Sequence, residues 1–115
     1  MEYVLLIYSN EQENAAMPQA EMQQWVGAFM AYTQALRDAN ILRASNRLRP
    51  ASAATTVRIS GGKTQTLDGP FAETREQLGG YYLIDVPDLD AALSWAARCP
   101  GAQRGSIEVR PVWAM

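Results

Sequence analysis

Histidine is absent from this sequence, and cysteine occurs once, at Cys99. The first absence removes the Ser-His-Asp and Cys-His arrangements, the usual neutral-pH general base and every zinc motif that uses histidine. The second removes any internal disulfide, which fits a reducing compartment, and leaves a metal site to be built from carboxylates alone. Acid–base chemistry falls to Asp, Glu, Tyr or Lys, and the expectation is a protein without metal or cofactor. Long apolar runs are missing too. Nothing approaches the roughly 18 residues of a membrane span, and the N-terminus shows neither a basic leader nor a cleavage site. Basic charge is not in excess either: ten Lys and Arg stand against twelve Asp and Glu, a net charge of −2. With a pI near 5.0, that balance argues against nucleic acid or a membrane as partner and leaves a cytoplasmic protein as the expectation.

What is present is ordinary globular material. The chain is 115 residues, 48% hydrophobic and 19% charged, enough for one domain over residues 1–115 with a core of its own. Its most distinctive stretch is Asp68-Gly69-Pro70-Phe71, followed by the apolar run Tyr81 to Val86. Asp-Gly-Pro is turn chemistry: Asp can bond local backbone, Gly accepts positive φ, and Pro fixes φ and restricts its neighbour. The β-branched and aromatic run after it, ended by Pro87, predicts a central strand.

From the N-terminus, Tyr3 to Tyr8 is continuously apolar, as in a strand covered on both faces. Ser9 to Met17 is polar and reads as a loop. Pro18 suits a first helical turn, and Met22, Trp25, Val26, Phe29, Met30 and Leu36 recur at helical spacing as one apolar, core-facing stripe. Asn40 is placed to end that helix in a left-handed conformation. Ile41 to Leu48 alternates, with Leu42, Ala44, Asn46 and Leu48 on one side and Arg43, Ser45 and Arg47 on the other. Thr55 to Ile59 and Thr64 to Leu67, joined across Gly61-Gly62-Lys63, predict a hairpin. Asp88 caps a second helix whose stripe is Leu89, Ala92, Leu93 and Ala96, stopped by Pro100-Gly101. Ser106 to Val112 is the last strand, with Pro111 at an edge or an end.

Without the hairpin the order is strand–helix–strand twice, the α+β ferredoxin-like βαββαβ pattern with a β-hairpin inserted after the second strand. Two helices cover one face of such a sheet, yet the first strand and Tyr81 to Val86 are apolar on both. Leaving those side chains wet would cost about 1.5–3 kcal/mol each. A second copy packed sheet to sheet is the simplest cover, so a homodimer is expected.

Three segments resemble one family. Asp68-Gly69-Pro70-Phe71 with Glu73, the strand start Gly79-Gly80-Tyr81-Tyr82, and Gly105 to Pro111 are similar to the YCII-related family, more narrowly to its DGPF subgroup. The likeness runs from the first strand to Pro111. It implies a ferredoxin-like protomer that pairs into a dimeric α+β barrel, and it assigns no reaction. Some members carry a His–Asp pair at a cleft near the dimer interface; with no histidine here, Asp68 would act without it. Association of members with extracytoplasmic-function sigma factors implies a regulatory role as the alternative.

Asp68 is thus the candidate catalytic acid or base, held by its turn at a strand mouth; its structural alternative is bonding to backbone amides of that turn. Tyr8, Arg47, Tyr81, Glu108 and Arg110 are the candidate ligand-binding residues if their faces point into a barrel, and otherwise interface aromatics and solvated charges. Gly79-Gly80 read as a bulge or close backbone approach, and Cys99 as packing. These residues describe a small-molecule-binding dimer with a cleft near the Asp-Gly-Pro-Phe loop. The alternative is a non-catalytic regulatory or adaptor protein without direct DNA contact.

Overall fold

The continuous apolar run at the N-terminus becomes strand β1 (Glu2–Ser9), and it lies inside a sheet, as such a run requires. The structure, a computed structural model, describes residues 1–114. Four strands, β1, β2 (Leu42–Arg47), β5 (Gln77–Asp85) and β6 (Ser106–Pro111), form one sheet in the order β2-β5-β1-β6, all neighbours antiparallel. Helices α2 (Gln19–Asp38) and α3 (Leu89–Arg98) follow β1 and β5. This is the ferredoxin-like α+β arrangement. The inserted hairpin, β3 (Thr55–Ser60) with β4 (Lys63–Asp68), is a separate two-stranded sheet.

Register decides which side chains meet. Tyr3 opposes Ile84 and Pro111, Leu5 opposes Tyr82 and Val109, and Ile7 opposes Gly80 and Ile107. These face the helices, and with Tyr32, Leu36, Ala92, Ala96 and Cys99 they build the core. Leu5, Leu36 and Ile84 have essentially no exposed surface, so each contributes on the order of 1.5–3 kcal/mol of burial. Val4, Leu6, Tyr81 and Leu83 point to the opposite face and stay half-exposed.

Local chemistry sets the helix ends. The Asp88 carboxylate accepts a hydrogen bond from Ala91 N–H at 2.9 Å, the N-cap expected of it. Asn40 ends α2 with φ 59°, while the N–H groups of Asn40 and Ile41 return to Arg37 and Leu36 carbonyls. The stretch after β1 is not all loop. Asn10 caps a short helix, α1 (Glu11–Ala15), by accepting from Glu13 N–H at 2.9 Å, and Glu11 and Glu13 stand in its first turn, where carboxylates suit the positive helix end. In α3 the buried residues are Ala92 and Ala96, with Trp95 half-buried, whereas Leu89 and Leu93 face solvent. Trp95 fills the space because Tyr32 lies across it, ring centroids 6.4 Å apart, and donates its hydroxyl to the Trp95 carbonyl.

Two irregularities reshape the sheet edge. Arg43 is an extra residue between Leu42, opposite Ile84, and Ala44, opposite Leu83. That bulge puts Leu42 on the helix face together with Ser45 and Arg47, breaking the simple alternation read from the sequence. Gly79 is the extra residue in β5 between Leu78, opposite Tyr8, and Gly80, opposite Ile7. At Gly80 an added Cβ would stand 2.8 Å from the Asn46 carbonyl oxygen. The glycine pair therefore marks both a bulge and a close backbone approach.

The hairpin turns through Gly61 and Gly62, both at positive φ, the geometry of a two-residue turn matched to strand twist. Gly69, at φ 99°, makes the return corner. Val57, Ile59, Leu67 and Phe71 of this excursion are all largely exposed, Ile59 by 74%. The projecting hairpin accounts for a radius of gyration of 16.1 Å, against about 13 Å for a rounded chain of this length.

Candidate functional site

A cavity of about 790 Å³ lies between α2 and the β2–β5 edge of the sheet, on the helix-covered face. Its helical wall is Met22, Trp25, Val26, Phe29 and Met30; its sheet wall includes Ser45, Arg47 and Tyr82, with the backbone of Gly79 and Gly80 beside them. The cause is a mismatch between facing elements. The first half of α2 presents a wide apolar stripe, but the strand opposite turns Ser45 and Arg47 toward it. Neither side can fill the gap, so of the stripe only Leu36 is fully buried, beside Tyr32, and Met30 remains 69% exposed.

The indole of Trp25 is held in place. Arg104 lies over its ring at 5.1 Å from the centroid and is itself paired to Glu21 at 3.0 Å, and Phe29 packs at 5.7 Å, tilted by 53°. The Trp25 indole N–H is buried without a hydrogen-bond partner among the described residues. Deeper in, Thr33 Oγ1 lies 2.8 Å from the Phe29 carbonyl and 2.7 Å from Tyr82 Oη. A threonine hydroxyl has one hydrogen, and the carbonyl can only accept, so Tyr82 is the donor in the second contact. Tyr82 thus spends its proton on Thr33 and keeps acceptor lone pairs. Burial pushes its phenol above the ordinary value of 10.0, so it is neutral at physiological pH. Burial likewise raises the neighbouring Tyr32 phenol and the Cys99 thiol, which is 1% exposed and packs in the core.

Three charged residues line the cavity: Glu11, Arg37 and Arg47. Both Glu11 oxygens accept from the Ala51 N–H, at 2.9 and 3.1 Å, and tie α1 to the segment after β2. Neither arginine joins an ion pair among the described residues.

The residues singled out from the sequence fall in three places. Arg47 lines the cavity; Tyr81 borders it from β5, but its side chain lies on the open sheet face, where its hydroxyl accepts from Asn46 Nδ2 at 2.8 Å. Tyr8, Glu108 and Arg110 belong to the open sheet face, where Tyr8 opposes Ser106 and Leu78, and Arg110 pairs with Glu108 at 3.3 Å. Asp68 ends β4, exposed and away from the cavity lining. Its corner is closed by Gly69 N–H to the Ala54 carbonyl at 2.6 Å and by Thr56 Oγ1 to the Gly69 carbonyl at 2.8 Å. The carboxylate takes no part in those bonds.

Trp25, Phe29, Thr33, Ser45 and Tyr82 are the cavity residues that sequence reasoning assigned to packing or passed over. The signal was available: an apolar helix stripe followed by a strand with a polar face of Arg43, Ser45 and Arg47 cannot make a dry layer. Among the described residues no group of three or more acidic or cysteine side chains is placed to hold a metal, and no helix is long and apolar enough to cross a membrane.

Comparison with known proteins bears on the whole chain. An uncharacterized protein of Rhizobium meliloti (strain 1021) is 41% identical over 114 residues, which is 97% of this chain and 92% of that protein. The YCII-related domain matches residues 1–115, and the chain belongs to the YCII-related family.

Proposed function

We propose that the protein binds a small organic molecule in the cavity between α2 and the β2–β5 edge. One observation carries this reading: the α2 stripe of Trp25, Phe29 and the methionines faces open space of about 790 Å³ instead of a core. That volume lies within the roughly 300–1,000 Å³ of small-molecule sites, which are apolar clefts with a few placed polar groups. Binding suits the lining better than acid–base catalysis. The phenol of Tyr82 is held protonated, and the carboxylate of Glu11 is engaged by Ala51. The candidate cleft thus moves from the Asp-Gly-Pro-Phe loop to the helix face.

The working form is a homodimer through the opposite sheet face. Val4, Leu6, Tyr81 and Leu83 form an apolar strip there, flanked by Glu108 and Arg110. A patch holding both charge signs beside an apolar strip can complement a two-fold copy of itself.

A thermal-shift screen of small aromatic and aliphatic compounds tests the binding role, with Ser45→Phe as the blocked control. Ser45 faces the cavity from β2 opposite Tyr82, so a phenyl ring there occupies the site. A ligand at about a hundred times its Kd stabilises by about 2.7 kcal/mol, a shift of several degrees. Hits should raise the wild-type midpoint and leave Ser45→Phe unmoved. Hits that shift both proteins equally would place the site elsewhere.

A further inference from the structure

Resting on that cavity reading, we infer that the ligand is an aromatic monocarboxylate whose carboxylate is held by Arg47. Charge comes first. The lining sums to +1, from Arg37 and Arg47 against Glu11, and the two guanidiniums have no carboxylate partner among the described residues. A guanidinium beside apolar walls takes a carboxylate through paired N–H···O bonds.

Position selects Arg47 over Arg37. Arg37 lies in the last turn of α2, where the partial negative charge of the helix end already faces it and opposes a second anion. Arg47 is at the other end of the cavity. Ile41 N–H bonds the Leu36 carbonyl, fixing where strand and helix start level. From Ile41 six residues lead to Arg47, one of them taken up by the bulge at Arg43, an advance of about 16 Å, and eleven helical residues back from Leu36 to Trp25 advance about 16 Å. Arg47 therefore stands level with the indole that Arg104 and Phe29 hold in place.

The walls select a ring. Trp25 and Phe29 offer aromatic surface and Met22 a thioether. The lining's net charge of +1 matches one carboxylate. Tyr82, its proton committed to Thr33, meets a ligand with lone pairs.

Calorimetry with three probes tests this: 2-naphthoate, its neutral isostere 2-naphthamide, and naphthalene-2,6-dicarboxylate. Wild type should bind naphthoate at least about tenfold more tightly than the amide, the scale of one charge-assisted hydrogen bond, and more tightly than the diacid. Arg47→Gln should erase the acid-over-amide preference, whereas Arg37→Gln should keep most of it, with the melting midpoints confirming that both variants fold. Acid and amide binding equally, with both lost in Ser45→Phe, overturns the carboxylate and leaves the cavity reading intact. Preference lost in Arg37→Gln but kept in Arg47→Gln overturns the placement. Probe binding that survives Ser45→Phe overturns this inference and the cavity reading together, and no binding of any probe to wild type at millimolar concentration overturns the aromatic class.

Discussion

Replacing Gly80 by alanine perturbs the molecule at one atom whose surroundings are known. The new methyl group would meet the Asn46 carbonyl oxygen at 2.8 Å and the Arg47 Cα at 3.4 Å, both backbone atoms of β2 that cannot rotate away. The first contact is several tenths of an ångström inside ordinary carbon–oxygen separation, so β2 must shift outward. Overpacking of this kind costs about 1–3 kcal/mol. Taking about 2 kcal/mol, and a urea slope of about 1.5 kcal/mol/M for a chain of this size, the unfolding midpoint should fall by about 1.3 M. Two substitutions of the same chemistry serve as controls. At Gly79 the methyl group would stand 3.8 Å from the Ile7 carbonyl oxygen, an ordinary contact, and the change should be small. At Gly27, inside α2 with nothing within 4 Å, alanine should stabilise by about 0.5–1 kcal/mol through helix propensity. Because Gly80 opposes Arg47, the outward shift also moves the cavity's guanidinium. Equal midpoints for the Gly79 and Gly80 variants would refute the steric reasoning and with it the tight β2–β5 approach.

Much of the fold was legible because its signals were local. Asp88 could be assigned as a cap from its place before an apolar helical stripe, and Asn40 as a left-handed terminus from its place after one. The ferredoxin-like α+β class followed from two strand–helix–strand units. The failures share a physical origin: tertiary registration that no single segment encodes. The bulge at Arg43 moved Leu42 to the helix face, which alternation alone cannot announce. Leu89 and Leu93 lie on the expected helical period, yet Trp95 and Cys99 won the space beneath α3 because Tyr32 meets them there. The polar segment after β1 hid a helix of one turn, recognisable only through the Asn10 cap and its acidic first turn. For the site, Asp68 stands out in the sequence because its turn is distinctive. Distinctive turn chemistry, however, is explained by the backbone corner at Gly69, whereas the cavity arises from common residues on facing elements that mismatch.

Three further outcomes follow from the geometry. Asp68→Ala should change stability by no more than about 0.5 kcal/mol in urea titration, because the corner closes through Gly69, Ala54 and Thr56; a loss well above that would restore a structural role to the carboxylate. On the alkaline side, Tyr82 is held above its ordinary 10.0 and Cys99 above 9.0, both by burial. The fold prefers their protonated forms, so this contribution is complete below the unfolded values and is lost as pH rises through the folded ones; stability should be level from pH 7 to about 8 and decline beyond, less steeply in Tyr82→Phe. The last outcome concerns the open sheet face. Val4, Leu6, Tyr81 and Leu83 are only half-buried in one protomer, and each would gain on the order of 1 kcal/mol from partial cover. Two copies double that gain, which is enough to offset part of the entropy of association. Light scattering at micromolar concentration should therefore give about twice the 12.7 kDa chain mass. Leu6→Glu sets a carboxylate in the centre of that strip, beside Glu108 across the strand pair, and should convert the dimer to a monomer while leaving cavity ligands bound. A wild-type protein that stays monomeric through the whole concentration series would leave the apolar strip without a partner of its own kind and overturn the dimer.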